Sequence, residues 1–580
     1  MKHNIQETNL SVRVVMIKHS FKLFSVLFAV ASAAFRDELE FSESDSCTKR
    51  AFYPTVKHTA EIPLTLSHKL IDALPLDAVD DNLIRPVKGC VFSESQPTPM
   101  KEPLTLAAVS KDVLENILDL DEAVLYNEEF IQCVSGGKLF PGSIPLAHRY
   151  GGHQFGYWAG QLGDGRAHLL GEYTNRKGQR WELQLKGSGK TPYSRSGDGR
   201  AVIRSSVREF LCSEAMHFLG IPTSRSLSLV LSEEPVWRDP FYNGNVIKER
   251  GAVVLRLAKS WFRIGSLEIL TKAGELDVLQ TLLDFVIKEH FKAIATNDPD
   301  KYVTFFFKMV NETAHLIAQW MSVGFAHGVC NTDNFSLLSI TIDYGPFGFM
   351  DSYDPHFVPN TSDDEGRYSI GAQANVGLFN LQKLLEALQQ LLTPDQLSKS
   401  HQILRKYPQI YHQRFHELFK AKLGLLGNED DDSYLIAFFL KLMEDTGADF
   451  TMTFRQLSEV TLSQLKNGSI PQAMWALSEI SSHEYFTGCV KLYLQRLSRQ
   501  NGDSDKARQH RMQSVNPRYV LRNWMAESAI RKAEKNDFSE VALLQQTLME
   551  PFVEQREAER MGYSSKPPSW AQQLRVSCSS

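Results

Sequence analysis

The stretch Gly324-Phe325-Ala326-His327-Gly328-Val329-Cys330-Asn331-Thr332-Asp333-Asn334, with Asp343-Tyr344-Gly345-Pro346-Phe347-Gly348 shortly after it, decides how the whole chain reads. It ends a long helical pattern, Lys301 to Val323, and its apolar continuation predicts a short strand from Phe335 to Ile342. A loop that holds His327, Asn331, Asp333 and Asn334 and runs on to Asp343 is not core material. Carboxylate and amide oxygens spaced this way suit a hard cation such as Mg²⁺, and Mg²⁺ suits a nucleoside triphosphate.

Upstream, the chain supplies what could bring phosphates to that loop. Gly163-Asp164-Gly165-Arg166 precedes two alternating segments, Ala167 to Tyr173 and Trp181 to Lys186, joined by the turn Asn175-Arg176-Lys177-Gly178. Without a Cβ at Gly163 and Gly165, backbone N–H groups can approach phosphate, although a tight turn explains the same glycines. Lys186 ends the second strand, either as a solvated strand end or as a phosphate ligand. A helix is predicted from Ala201 to Leu219, stopped by Gly220 and Pro222, and it carries Glu209 between the apolar Val207 and Phe210. A strand Lys held by a helix Glu is how kinase-like folds aim an ammonium at phosphate.

Gly197-Asp198-Gly199-Arg200 repeats the earlier glycine string and is expected to open that helix. It would serve as an anion site of free N–H groups, as an N-cap through Asp198, or as both. Two more strands follow, Ser226 to Leu231 and Ala252 to Ala258. The second holds Arg256, and an arginine in an apolar strand needs a carboxylate or phosphate partner. For Arg256, and for Arg263 after it, salt bridge and ligand contact both remain open.

A β-rich part with a glycine loop and strand Lys, followed by a larger helical part with a metal loop, predicts an α+β, protein-kinase-like two-lobed fold with additional N- and C-terminal helices. The expected divisions are a targeting segment at residues 1–36, a loosely ordered lead-in at 37–80, an N-terminal lobe at 81–265, a helical C-terminal lobe at 266–500, and C-terminal helices with a tail at 501–580. Residues Ser498 to Met512 read as a polar linker. One position breaks the kinase pattern. The His-x-Asp-x4-Asn catalytic loop places its base two residues after His327, where this chain has Val329, and valine cannot accept a proton. Asp333 supplies another carboxylate, beside Asn334, and Asp343-Tyr344-Gly345 fills the place of the metal-binding Asp-Phe-Gly.

A chain of 580 residues exceeds one average domain, and 43% hydrophobic with 23% charged residues is ordinary for a globular protein. The net charge of −5 leaves no basic footprint for nucleic acid. The seven cysteines form no CxxC pair, which argues against a zinc ribbon or a dithiol motif. The longest apolar run, Leu23 to Phe35, falls short of the ~20 residues that span a bilayer, so no stable membrane insertion is expected. Its basic flank and Ala31-Ser32-Ala33 exit fit a secretory signal, while the scarcity of acids before Asp37 fits a mitochondrial presequence.

The strings Gly151-Gly152-His153-Gln154-Phe155-Gly156, Gln161-Leu162-Gly163-Asp164-Gly165-Arg166, Leu185-Lys186-Gly187, Thr191-Pro192-Tyr193-Ser194-Arg195, Gly324 to Val329, Asp343 to Gly348 and Asn516-Pro517-Arg518-Tyr519 are similar to the selenoprotein O (YdiU) family. The resemblance runs from about Asp81 to the C-terminal end. It implies a kinase-like enzyme that binds ATP in reversed orientation and transfers AMP to Ser, Thr or Tyr hydroxyls of target proteins. It implies that Asp333 is the proton acceptor, and that Asn334 and Asp343 hold Mg²⁺, with Mn²⁺ as the alternative ion. Gly163, Gly165, Arg166, Lys186, Asp198, Gly199, Arg256 and Arg263 are then the ATP-binding residues. Family members in eukaryotes are mitochondrial, which makes that the expected address, with the secretory pathway as its alternative. Selenium-containing members carry selenocysteine just before a Ser-Ser terminus, where this chain has Cys578, so Cys578 is either a redox thiol or an inert tail residue.

Overall fold

Alternating apolar residues along Leu183, Leu185, Val253, Leu255 and Leu257 require a sheet with one face buried by other elements, and such a sheet organises the first half of the chain. A computed structural model describes residues 62–577 apart from Ala78 and Asp80. The segment read as a targeting signal, most of the lead-in and Cys578 lie outside the described residues. The sheet has nine strands: β1 Leu76–Asp77, β2 Phe92–Glu94, β3 Leu104–Val109, β4 Leu146–His148, β5 Ala167–Thr174, β6 Arg180–Lys186, β7 Ala201–Val202, β8 Arg225–Arg238 and β9 Ile247–Ala258. Their order is β1-β2-β4-β5-β6-β9-β8-β3, with β7 also pairing with β9. The β1–β2 pair is parallel and the others are antiparallel, so the sheet is mixed.

One face, with Leu183, Leu185, Val253 and Leu255, packs against Val113, Leu114, Phe130 and Val134 of helices Lys111–Asn116 and Glu128–Ser135. The other, with Leu229, Leu231 and Val254, packs against Val207, Phe210 and Leu211 of helix Ile203–Phe218. Lys186 pairs with Val254 and Gln184 with Arg256. Because side chains alternate with period two, Lys186, Gln184 and Arg256 all stand on the face that meets helix Ile203–Phe218. Helices dominate from Ile264 onward. Lys301–Ser322 packs on Tyr407–Lys422 and Gln373–Leu388, while Asn523–Ala533 and Ser539–Met549 return to pack on Ile203–Phe218. The protein is thus α+β, with one mixed sheet and many helices.

Four expectations are corrected. Phe335 to Ile342 is not a strand; Ser336 and Ser339 turn it back on itself, Phe335 bridges Thr341, and its backbone is tied to Phe262, Ile264 and Pro222. The strand of this region is Phe325–Ala326, paired with Gly348–Phe349. The string Gly197-Asp198-Gly199-Arg200 does not open the helix: β7 intervenes, and the helix starts at Ile203 with no side-chain cap. The linker expected at Ser498 to Met512 contains the start of helix Asp505–Gln513, capped by Ser504 and anchored by buried Arg508 and Met512. The end of the lead-in is ordered: Leu64, Leu66, Leu70 and Leu74 are buried, and helix Lys69–Ala73 leads into β1.

Candidate active site

Lys186, Glu209, Arg256 and Asp343 come from β6, helix Ile203–Phe218, β9 and the loop after residue 342, and they meet in one ion network. Lys186 Nζ lies 2.7 Å from Glu209 Oε2 and 3.6 Å from Asp343 Oδ1. Arg256 Nη1 donates to Glu209 Oε1 at 2.7 Å and to Asp343 Oδ1 at 2.6 Å, and its Nε donates to Gln184 Oε1 at 2.8 Å. Arg263 Nη1 donates to Asp343 Oδ2 at 2.6 Å and to the Asp333 carbonyl at 2.9 Å. Each guanidinium lies over an aromatic ring, Arg256 over Trp261 at 4.3 Å and Arg263 over Tyr150 at 4.3 Å, which fixes its plane. Burial alone would raise the Asp343 pKa, but Arg256, Arg263 and Lys186 hold it well below the usual carboxylate range. Burial lowers the Lys186 pKa, with Glu209 opposing. Asp343 also has φ +57°, an uncommon backbone for a non-glycine residue, seen where a site constrains it.

Asp333 lies in the short 3₁₀ turn Thr332–Asn334 and has a different environment. Its Oδ2 accepts from Gln154 Nε2 at 3.2 Å, while its Oδ1 is buried without a hydrogen-bond partner among the described residues. Burial raises its pKa to about 7, against the pull of Gln154 and Arg263. The glycines of the string 151–156 make this fit: a methyl at Gly152 would sit 2.6 Å from Asp333 Oδ1, and Gly151 N–H donates to the Gly265 carbonyl at 3.0 Å. His153 N–H donates to Thr332 Oγ1 at 2.7 Å, and its ring binds Glu268 at 2.6 Å. Asn334 Nδ2 donates to the Val329 carbonyl at 2.9 Å, and His327 Nε2 bonds the Ile342 carbonyl at 2.9 Å, joining the two acidic loops.

A cleft of about 990 Å³ opens over this network. Gly163, Gly165, Arg166, Lys186, Asp198, Gly199, Glu209, Arg256, Asp333, Asn334 and Asp343 all line it. Arg263 does not; it stands behind Asp343 at 1% exposure and acts on the cleft through that carboxylate. Gly163 has φ +87° and packs on the Tyr193 ring, so no side chain fits there. Asp198 accepts from Arg238 through both oxygens at 2.7 Å and from Arg200 N–H at 2.9 Å. Sequence reasoning assigned no role to Gln154, Gln184, Trp261 or Arg238; the only signal was that Gln154 stands in a string singled out for the resemblance. Residues Leu574 to Ser577 also line the cleft: Thr361 N–H donates to the Val576 carbonyl at 2.8 Å, and Arg575 covers the Phe241 ring at 4.6 Å. Among the described residues no cluster of three or more His, Cys, Asp or Glu is arranged to hold a metal, and no helix is long and apolar enough to cross a membrane.

The family described as "Protein adenylyltransferase SelO" matches residues 91–549. The chain belongs to the SelO family. A relative named protein nucleotidyltransferase YdiU from Azoarcus sp. is 43% identical to it over 519 residues, covering 89% of this chain and 98% of the relative. Relatives of the same name from Methylobacillus flagellatus and Nitrosospira multiformis are 42% and 40% identical, covering 89% and 88% of the chain and 100% and 96% of the relatives. These SelO-family relatives are bacterial, which overturns the expected mitochondrial address and its secretory alternative; the transit-peptide reading of residues 1–36 is withdrawn.

Proposed function

We propose that this SelO-family protein transfers AMP from ATP to Ser, Thr or Tyr hydroxyls of target proteins and releases pyrophosphate. The carrying observation is the pair of unlike carboxylates in one cleft: Asp343 saturated with cations, Asp333 almost bare. The kinase-like two-lobed reading is kept as a proposal, with residues 81–265 as the smaller lobe, 266–500 as the larger and 501–580 as added C-terminal helices and tail.

Lys186 and Arg256 are the cleft cations that bind Asp343 directly, and Arg263 backs them through the same carboxylate. They suit the outer phosphates of ATP, which become pyrophosphate, whereas Gly163 and Gly165 offer close backbone approach. That arrangement leaves the α-phosphate toward Asp333. The hydroxyl oxygen of the target bonds to the α-phosphorus, the bond from that phosphorus to the bridging oxygen breaks, and the pair leaves with pyrophosphate. The hydroxyl proton passes to Asp333, whose raised pKa suits a base working near neutrality. Basic side chains compensate the charge on the leaving group.

Asn334 and Asp343 would hold Mg²⁺. The residues fit in donor type: one amide and one carboxylate are a sparse oxygen set, as Mg²⁺ prefers when phosphate and water complete its shell. The Asn334 amide is held by its nitrogen on the Val329 carbonyl, which turns its oxygen to this role, and phosphate would take over Lys186 and Arg256 from Asp343. Mg²⁺ when bound supplies Lewis-acid stabilisation of phosphate charge. Labelled ATP tests the reading. Label at the α-phosphate should appear on protein and label at the γ-phosphate should not; γ-label on protein would establish a phosphotransferase instead.

A further inference from the structure

Residues His153–Gln154 and Tyr157–Trp158 pair as a two-residue hairpin whose turn is Phe155-Gly156. Phe155 has φ +50° and Gly156 φ +88°, the signature of a type I′ turn, for which Asn-Gly is the preferred pair. A phenylalanine there is strained by contact of its Cβ with the backbone. Core burial does not compensate, because Phe155 is 38% exposed, and Tyr157 beside it is 81% exposed. The conformation is nevertheless held from the catalytic side: the Phe155 N–H donates to Tyr368 Oη at 2.9 Å and to Asn331 Oδ1 at 3.3 Å, and its ring meets the Tyr368 ring at 5.2 Å. Asn331 precedes Asp333 by two residues, and Gln154, next to Phe155, holds Asp333 itself. The fold therefore maintains a costly exposed ring at the rim of the cleft, fastened to the loop of the proposed base.

We infer that Phe155 and Tyr157 form an apolar shelf for the target-protein segment that carries the accepting hydroxyl. This rests on the adenylyl-transfer reading. A hydroxyl that gives its proton to Asp333 must come within hydrogen-bond reach of it. The cations that suit phosphate, Lys186 and Arg256, are bound to Glu209 and Asp343, whereas Asp333 takes its side-chain donor from the hairpin, through Gln154, so the segment is placed along the hairpin. An extended segment puts same-face side chains about two residues apart, so the shelf selects an apolar residue about two positions from the acceptor.

The test uses the full chain and two fluorescent synthetic peptides with one central Tyr, one flanked at the second positions by Leu and the other by Gln. The variants are Phe155→Asn, which suits the turn backbone and removes only the ring, and Tyr157→Ala. Binding is read by anisotropy, and transfer by α-labelled ATP. Both variants are expected to weaken binding of the Leu peptide about ten-fold and to raise its KM equally, with the Gln peptide and the KM for ATP unmoved. Unchanged Leu-peptide binding, or no binding of that peptide by the wild type, overturns the shelf. So does a rise in the KM for ATP instead, which would assign the ring to the nucleotide. If the Leu peptide binds through Phe155 but takes no label, the shelf stands and adenylyl transfer falls. If label transfers equally in all forms, the transfer stands and the shelf falls.

Discussion

Two loops ten residues apart put carboxylates into the same cleft, and they end in opposite electrostatic states. Asp343 is ringed by Arg256, Arg263 and Lys186 and stays ionised well below the usual carboxylate range. Asp333 has one amide donor, one empty oxygen and a pKa of about 7. Asp333 is buried and Asp343 half-buried, and burial pushes both pKa values up, so desolvation does not separate them; the partners do. One carboxylate is built to carry charge at all working pH values, the other to exchange a proton. Arg263 links them, because the guanidinium that binds Asp343 also binds the Asp333 backbone.

Asp343→Ala should break the comparison most severely. It leaves the buried Arg263 guanidinium without its carboxylate and Arg256 with Glu209 alone, so α-label transfer should vanish and thermal or denaturant unfolding should show a loss of about 3–5 kcal/mol. Asp333→Asn keeps the shape and removes the base; single-turnover transfer should fall by about 10²–10⁴-fold with ATP affinity retained. Stability should move the other way. The folded Asp333 pKa lies above its unfolded value, so its ionisation destabilises the fold increasingly from about pH 4 to about pH 7. The Asn variant should therefore match the wild type near pH 4 and exceed it at pH 8, by no more than about 4 kcal/mol. By the same sign, wild-type transfer should rise with pH and level off above about 7. Gln154→Ala sharpens the contrast most gently: it removes the donor to Asp333, and it should lower transfer a few-fold and stability by about 1 kcal/mol. A loss in the Gln154 variant as large as that of Asp333→Asn would mean that the amide itself touches the reacting atoms.

The Asp343 side of the cleft was legible in the sequence. The strand–helix order pointed to the Lys186–Glu209 pair, and the pairing of β6 with β9 adds Arg256 to it. The choice left open for Arg256 and Arg263 resolves to carboxylate partners in this structure. The Asp333 side was not legible, because its surroundings are made by a glycine string 179 residues upstream, and close backbone approach has no periodic signature. The predicted strand at Phe335 to Ile342 failed for a related reason. An apolar run was read as a ladder, whereas its backbone groups are taken one at a time by Phe262, Ile264 and Pro222. The helix Asp505–Gln513 lacks an apolar face, and it holds through Arg508, which donates to the carbonyls of Leu457 and Val460.

The tail at Leu574 to Ser577 has a practical consequence for handling the protein. Val576 is pinned by Thr361 and Arg575 by Phe241, so Ser577 sits at the cleft. A purification tag or fluorescent group attached at this described stretch would therefore sit beside the cleft, where it competes with whatever enters. Assays of this protein are best built on chains labelled elsewhere.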